Sequence, residues 1–411
     1  MRYRFLFFCI LLYSIPEQIN IPTPRSRFGQ DRGAGIDSVP HLKYGPKRRR
    51  SLDETWSNDY SMKPGAMTIR EIYAQPEAWR RCLGMLDGFD FKLLADDKNP
   101  RNWEWLFVGC GTSYYLAQAA AASLMELSGV PARAVPASEL LLFPQLVIPV
   151  KGAPVFPVLI SRSGRTSEIL EAAEVLRRRK IAFMSITCDG NELAELSPRT
   201  LQLPVNEEST VMTSSFTSML LALQYTSAHL SGNEEFIQHL HALPDALAGL
   251  LQTYSPRLEE FAHRSFEDVA FLAQGALYPI ASETALKVME SSSSYAQFFH
   301  TMEFRHGPKS IVSDKVLVGG LLSESGYAEE SAVLLEMKTL GGCTLAIANH
   351  ITAELRSSAD LSIELNLSVP ESARLIVYVV WGQLLGAYIG LQRGLNPDAP
   401  CHLSRVVTLG G

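Results

Sequence analysis

The feature that most constrains this 411-residue chain is that it repeats itself. Phe107-Val-Gly-Cys-Gly111-Thr-Ser-Tyr114-x-x-Ala117 aligns with Phe271-Leu-Ala-Gln-Gly275-Ala-Leu-Tyr278-x-x-Ala281. Leu159-Ile-Ser161-Arg-Ser163-Gly164 aligns with Leu321-Leu-Ser323-Glu-Ser325-Gly326, and the two offsets, 164 and 162, are nearly the same. Each match is a junction where an apolar run gives way to a small-residue loop and then to a helical pattern. Such junctions mark βαβ units and a parallel sheet. Buried strands are expected at 105–108, 155–160, 181–187, 201–205, 269–272, 316–322 and 343–348. Helices are expected at 117–127, 167–179, 212–229, 327–340 and 371–393. The sum is an α/β chain of two tandem doubly wound, flavodoxin-like parallel-sheet domains, at 84–245 and 262–411, joined around Ser255-Pro256.

A chain with 46% hydrophobic and 19% charged residues can bury a large core and stay globular. Its net charge of -6 gives no reason to expect nucleic acid as a partner, while leaving local fields free to bind a small anion. The six cysteines are scattered without a C-x-x-C pair, the pattern of reduced thiols in a cytoplasmic protein. Ahead of the repeat, an apolar run at 5–15 is too short to span a bilayer, and no small-residue cleavage site follows it. The Pro-, Arg-, Gly- and Ser-rich stretch behind it, ending in Lys47-Arg48-Arg49-Arg50-Ser51, is expected to be unstructured over 1–66, with translation beginning at Met62 or Met67. Thr68 and Glu71 have capping-box spacing, which predicts a helix over 67–83.

Ligands of open α/β sheets bind beyond the carboxyl ends of the strands, where helix N-termini point. Two loops of the first half lie there: Gly109-Cys110-Gly111-Thr112-Ser113, and Ser161-Arg162-Ser163-Gly164-Arg165-Thr166. Glycines allow close backbone approach, hydroxyls donate hydrogen bonds, and a helix end adds positive potential, a combination suited to a phosphate monoester. Arg162 and Arg165 are placed to add charge. Ser, Thr and Gly also cap helices and make turns, so one such loop is ambiguous, whereas two of the same chemistry point to an anion. The second half has lost this chemistry, with Ala276-Leu277 in one loop and Glu324 in the other. One phosphate site per chain is therefore expected. Glu283, Lys287 and Glu290 fall at i, i+4 and i+7 on one helix face. With His306 they supply a base for carbon and a proton shuttle for oxygen.

These residues carry a family resemblance. Gly111-Thr112-Ser113, Ser161-Arg-Ser163-Gly164-Arg-Thr166, Glu283-Thr-Ala285-Leu286-Lys287-Val-Met-Glu290 and Phe304-Arg305-His306-Gly307-Pro308 resemble the sugar isomerase (SIS) domain family. Within it, the chain is similar to the isomerase half of glutamine–fructose-6-phosphate aminotransferase. It is closer to the bacterial galactosamine-6-phosphate deaminase/isomerase group, on Val211-Met-Thr213-Ser-Ser215 and Asn396-Pro-Asp398-Ala-Pro400. The resemblance implies that Ser113, Ser161, Ser163 and Thr166 bind phosphate. It also implies that Glu290 moves a proton between C1 and C2, that Lys287 holds the sugar and tunes Glu290, and that His306 assists ring opening. Gly111, Thr112, Arg162, Thr213 and Glu283 complete the expected substrate-binding set, and Thr213 is expected near the sugar hydroxyls. The family pairs into homodimers or larger homo-oligomers that share active sites, which makes His306 the group expected to act across to a second copy.

Two departures matter. No cysteine follows the initiator Met, so glutaminase activity is not expected of this sequence. Where the aminotransferase has its Schiff-base lysine, Leu403-Ser-Arg405-Val-Val407 has Arg405, which stays protonated and forms no imine, but can bind substrate hydroxyls. The expected activity is deamination of galactosamine or glucosamine 6-phosphate to a ketohexose 6-phosphate and ammonia. A plain aldose–ketose isomerase or fructosamine-phosphate deglycase is the alternative enzyme, and a non-catalytic sugar-phosphate sensor the alternative of another class. No metal, other cofactor or membrane partner is expected.

Overall fold

A computed structural model describes residues 63–94, 103–148, 154–189, 192–197 and 199–408. The apolar run at 5–15, the basic run at 47–51 and Met62 lie outside these residues. Ten strands form two five-stranded sheets. The first contains β1 (Glu104–Gly109), β2 (Ala132–Pro136), β3 (Val155–Ile160), β4 (Met184–Thr187) and β5 (Thr200–Gln202). The second contains β6 (Asp268–Ala273), β7 (Tyr295–His300), β8 (Val316–Leu321), β9 (Cys343–Ala348) and β10 (Leu361–Glu364). All pairings are parallel, in the orders β2-β1-β3-β4-β5 and β7-β6-β8-β9-β10. The two orders are the same once β6 is matched to β1, so the repeat in sequence is a repeat in topology, and both sheets have the flavodoxin-like order.

Phe107 and Phe271 sit at matching points, each flanked on both sides, by Ala134 and Val158 in one sheet and by Phe298 and Gly319 in the other. Both sheets lie in one compact unit, residues 60–411. Their shared core runs through the helices Thr112–Ser128, Ser214–Ser231, Tyr278–Ser292 and Glu371–Gln392. Glu371–Gln392 is long and apolar enough to cross a membrane, but Ser372–Gly390 are buried without interruption, as expected of a helix apolar on every side in a protein core. Among its polar groups, Gln383 accepts from Gln75 at 2.9 Å and donates to the Thr213 carbonyl at 3.2 Å.

Several sequence expectations need correction. Thr68 and Glu71 do not form a capping box. The helix begins at Ala66, and Asp398 caps it from the far end of the chain, accepting from Thr68 N and Oγ1, both at 2.7 Å, and from Met67 N at 3.2 Å. Glu71 instead accepts from Ser209 and from the Glu208 amide. The single helix expected over 67–83 is two, Ala66–Tyr73 and Gln75–Asp87, the second starting with Pro76 in its first turn, where the missing N–H costs nothing. Ser255-Pro256, expected at the join of the two halves, breaks no helix; it lies within the 29-residue helix Glu234–Ala262 that runs between the two sheets in sequence. The strand expected at 201–205 covers 200–202, and that expected at 181–187 starts at Met184.

Candidate active site

The order β2-β1-β3 makes the gap between β1 and β3 the topological switch point, and both hydroxyl loops emerge there. Gly111 turns the chain from β1 into Thr112–Ser128 at φ +53, a value glycine takes without strain; Gly275 repeats it at +55. The second loop leads from β3 to Thr166, the residue ahead of Ser167–Arg178. Between the loops lies a cavity of about 220 Å³. Gly111, Thr112, Ser113, Ser163 and Thr166 line one part; Lys287 and Glu290, from a helix of the second half, line another; Ser404 and Arg405 of the C-terminal tail close it.

Lys287 is buried, with its ammonium 3.0 Å from Thr112 Oγ1, 3.3 Å from Glu283 Oε1 and 2.5 Å from Glu290 Oε2. Burial would lower its pKa, but Glu283 and Glu290 outweigh burial and hold it above the ordinary lysine value. The helix carrying these groups is pressed into Glu371–Gln392, where a Cβ on Gly386 would stand 2.7 Å from the Lys287 carbonyl. Glu290 keeps 17% of its side chain exposed and reaches the cavity.

Other expected site residues stand elsewhere. Glu283 is fully buried and lies beneath Lys287, outside the cavity wall. Thr213 is buried with its amide and hydroxyl on Glu207 Oε1, at 2.7 and 2.9 Å; Thr210 and Met212 take the wall instead. Ser161 turns its hydroxyl inward, accepting from Gly164 N at 3.1 Å and facing Thr166 Oγ1 at 3.3 Å, so it shapes the loop. Arg162 edges the cavity, but its guanidinium is committed to Glu207 at 3.0 Å and to the carbonyls of Ser209, Thr210 and Arg405. Arg165 is exposed and paired with Glu192. Arg162 is therefore not free to act as a phosphate clamp. His306 is exposed in the segment after β7 and does not line this chain's cavity.

Three features escaped the sequence reading. Arg405 is held by Asp189 at 2.6 Å, and its carbonyl is gripped by Arg162, so the tail is tied to the first half at both points. The Val407 carbonyl accepts from Ser167 N at 3.3 Å, occupying the first amide of the helix Ser167–Arg178. Cys110 and Glu168 also line the cavity, and burial, with Glu168 adding to it, pushes the Cys110 thiol up to about 11, which leaves it unreactive near neutral pH.

The corresponding crevice of the second half is a cavity of about 390 Å³ lined by Gly275, Ser323 and Ser325, with Glu329, Glu330 and Glu371 placing carboxyl groups in its wall. The buried carboxylate of Glu330 accepts from Ser323 N at 2.6 Å and Ser323 Oγ at 3.0 Å, inside the loop that matches Ser161–Gly164. Glu324, expected to repel phosphate there, instead meets Arg374 and Asn349. Among the described residues no group of three or more His, Cys, Asp or Glu side chains converges as metal ligands would.

A SIS domain model matches residues 104–227 and 265–385. The chain is 26% identical over 395 residues to the glutamine–fructose-6-phosphate aminotransferase (isomerizing) of Pyrobaculum aerophilum, covering 92% of this chain and 61% of that protein. Against the protein of that name from Chlamydia pneumoniae, identity is 28% over 379 residues, covering 86% and 61%. The chain thus spans about three fifths of the length of the curated relatives it matches. Among solved structures, glucosamine-6-phosphate deaminase from Thermotoga maritima aligns with a TM-score of 0.69 at 27% identity, over 84% of this chain and 100% of that one. The tagatose-6-phosphate ketose/aldose isomerase of Escherichia coli shares the fold, with a TM-score of 0.72 at 24% identity, over 82% and 97%.

Proposed function

The chain belongs to the SIS domain family, and from that premise we propose that it is an amino-sugar-6-phosphate deaminase/isomerase. The observation that carries this is a single cavity uniting the hydroxyls of Ser113, Ser163 and Thr166 with the Lys287–Glu290 pair and with Arg405. The hydroxyl end, at two helix N-termini, suits a phosphate monoester. The other end suits the reacting carbons. Glu290 takes the proton from C2 of the open-chain 2-amino aldehyde, while the Lys287 ammonium offsets the charge that develops on O1. Return of a proton to C1 leaves a C=N bond at C2; water adds to C2, the C–N bond breaks, and ammonia leaves behind a ketose phosphate.

Arg405 supports deamination over amination, because a guanidinium at the cavity mouth cannot form an imine with the open sugar. The 27% identity to a solved glucosamine-6-phosphate deaminase supports the same choice. With this reading go a cytoplasmic location, in keeping with the five unpaired thiols of the described residues, and a shared site. The exposed His306 would serve ring opening in the cavity of a second copy.

Ammonia release from galactosamine, glucosamine and fructosamine 6-phosphates tests the activity. If none releases ammonia while an aldose phosphate gives a ketose, the deaminase reading falls and plain isomerisation stands. If sugar phosphate binds without turnover, the chain is a sensor. Mixing Glu290→Gln chains with His306→Asn chains tests the shared site: hybrid dimers should recover activity, and an inactive mixture of folded chains refutes it.

A further inference from the structure

Glu283 takes no part in the reaction above, yet it is built into the cluster that performs it. Its Oε1 faces Lys287 Nζ at 3.3 Å and Thr112 Oγ1 at 3.4 Å, while its Oε2 is buried without a hydrogen-bond partner. An ammonium has three protons to give, and those of Lys287 point to Thr112, Glu290 and Glu283, with Glu290 nearest. Two carboxyl groups therefore compete for one cation, Glu290 at the cavity and Glu283 buried beneath it. With both ionised, the cluster would hold an excess negative charge and a bare carboxylate oxygen in the core, which protein interiors disfavour.

The groups facing Glu283 are few. Its own helix contributes Lys287 and Glu290. Helix Thr112–Ser128 contributes Thr112 and the Tyr115 phenol, whose pKa is raised first by burial and then by Glu283 itself. The third helix packed here, Glu371–Gln392, meets this one at Lys287 through the uncharged Gly386. Glu283 is the deeper of the two carboxyls, with none of its side chain exposed against 17% for Glu290. Burial pushes Glu283 up to about 8, with Lys287 opposing the shift and Glu290 adding to it.

We propose that Glu283 is a positioning residue that stays protonated at neutral pH, leaving the cluster's one negative charge on Glu290 and the Lys287 ammonium paired to it. The inference rests on the site reading given above. As the pH rises the Glu283 O–H bond breaks, its electron pair stays on the carboxylate and the proton leaves to water. The new carboxylate then draws Lys287 away from Glu290 and cancels the charge that Lys287 would present to substrate. Turnover falls as Glu283 ionises.

The test is Glu283→Gln, a neutral side chain of the same shape. Its kcat–pH profile should lose the alkaline limb, shifted up by about one pH unit or more. An unchanged limb, or a folded Glu283→Gln that is inactive at pH 7, overturns the proposal. Infrared titration of the free protein is independent of any substrate. The wild type should show a protonated-carboxyl C=O band that is lost with a midpoint of about 8 and is missing from Glu283→Gln. Glu290→Gln, which removes a like charge, should move that midpoint down, and this arm stands even if Glu283→Gln does not fold. A wild type lacking the band, or a midpoint unmoved in Glu290→Gln, also overturns it. Absence of turnover on every hexose 6-phosphate, with the band present, would instead sink the function assigned above.

Discussion

Arg162 is the first residue we would change, because the 207–210 segment and the C-terminal tail meet on its guanidinium through four partners. It pairs with Glu207 at 3.0 Å, with 4% and 1% of the two side chains exposed, and it holds the carbonyls of Ser209, Thr210 and Arg405 at 3.0–3.2 Å. Breaking a buried pair by removing one partner costs about 3–5 kcal/mol, because the other charge is left unpaired. Glu207 would keep its bonds from Thr213, Ser214 and Ser215. Arg162→Met should therefore fall at the low end, about 3 kcal/mol. Replacing both groups, in Arg162→Met/Glu207→Gln, removes both charges and should lose less than the two single changes together, by about 2 kcal/mol or more. Guanidinium unfolding followed by tryptophan fluorescence gives all three values. Burial alone would raise the Glu207 carboxyl, but Arg162 and the hydroxyl and amide donors outweigh it and hold Glu207 below the ordinary range. A depressed carboxyl contributes stability that is present above its unfolded pKa and lost as the pH falls through the folded one. The wild type should thus lose stability on acidification more steeply than Glu207→Gln. An Arg162→Met loss under about 1 kcal/mol, or strictly additive double-mutant values, would refute the hub.

Other consequences follow from single contacts. Ser163→Ala should weaken binding of a hexose 6-phosphate roughly tenfold, about 1.4 kcal/mol, read by calorimetry; unchanged affinity would remove Ser163 from the phosphate end. Lys287→Met should lower kcat by roughly 10²-fold or more with little change in KM, since its charge is needed only as the substrate's charge develops. Asp398→Ala strips the acceptor from two amides and a hydroxyl at the start of the helix Ala66–Tyr73, and should cost about 1–2 kcal/mol. Protease cleavage near Thr68 should become faster in that variant.

The parts of the fold legible in the sequence are those buried on both faces. Val155–Ile160 and Cys343–Ala348 are interior strands with every residue buried, and they read as largely apolar runs with the right ends. The strands missed were β2, β7 and β10, and β5 was overextended; these four are the sheet edges, while the interior β4 was also overextended, at its start. An edge strand pairs on one side only, and in Ala132–Pro136 and Tyr295–His300 burial is partial, so no apolar run announces them. Pro256 misled for a different reason. A proline removes one helical hydrogen bond, and a long helix held by Leu247, Leu250, Leu251 and Leu258 tolerates that loss. At the site, hydroxyl loops and the Glu–Lys–Glu helix are local patterns and were visible. The commitment of Arg162 to Glu207, and of Thr213 to the same carboxylate, joins residues without a fixed spacing and became visible only in three dimensions.

Glu330 gives the duplicated fold a further property. Its carboxylate fills the second half's loop from within the same chain, so the amide and hydroxyl that once awaited an anion are never vacant. A tethered group competes at an effective concentration of millimolar or more, whatever the surrounding metabolites do. An anion entering the second half's crevice must displace this tethered carboxylate, so the expectation of one phosphate site per chain predicts that binding saturates at one ligand per chain. On the proposed function, the second lobe then carries the chemistry for the first, through Lys287 and Glu290 in the first lobe's cavity.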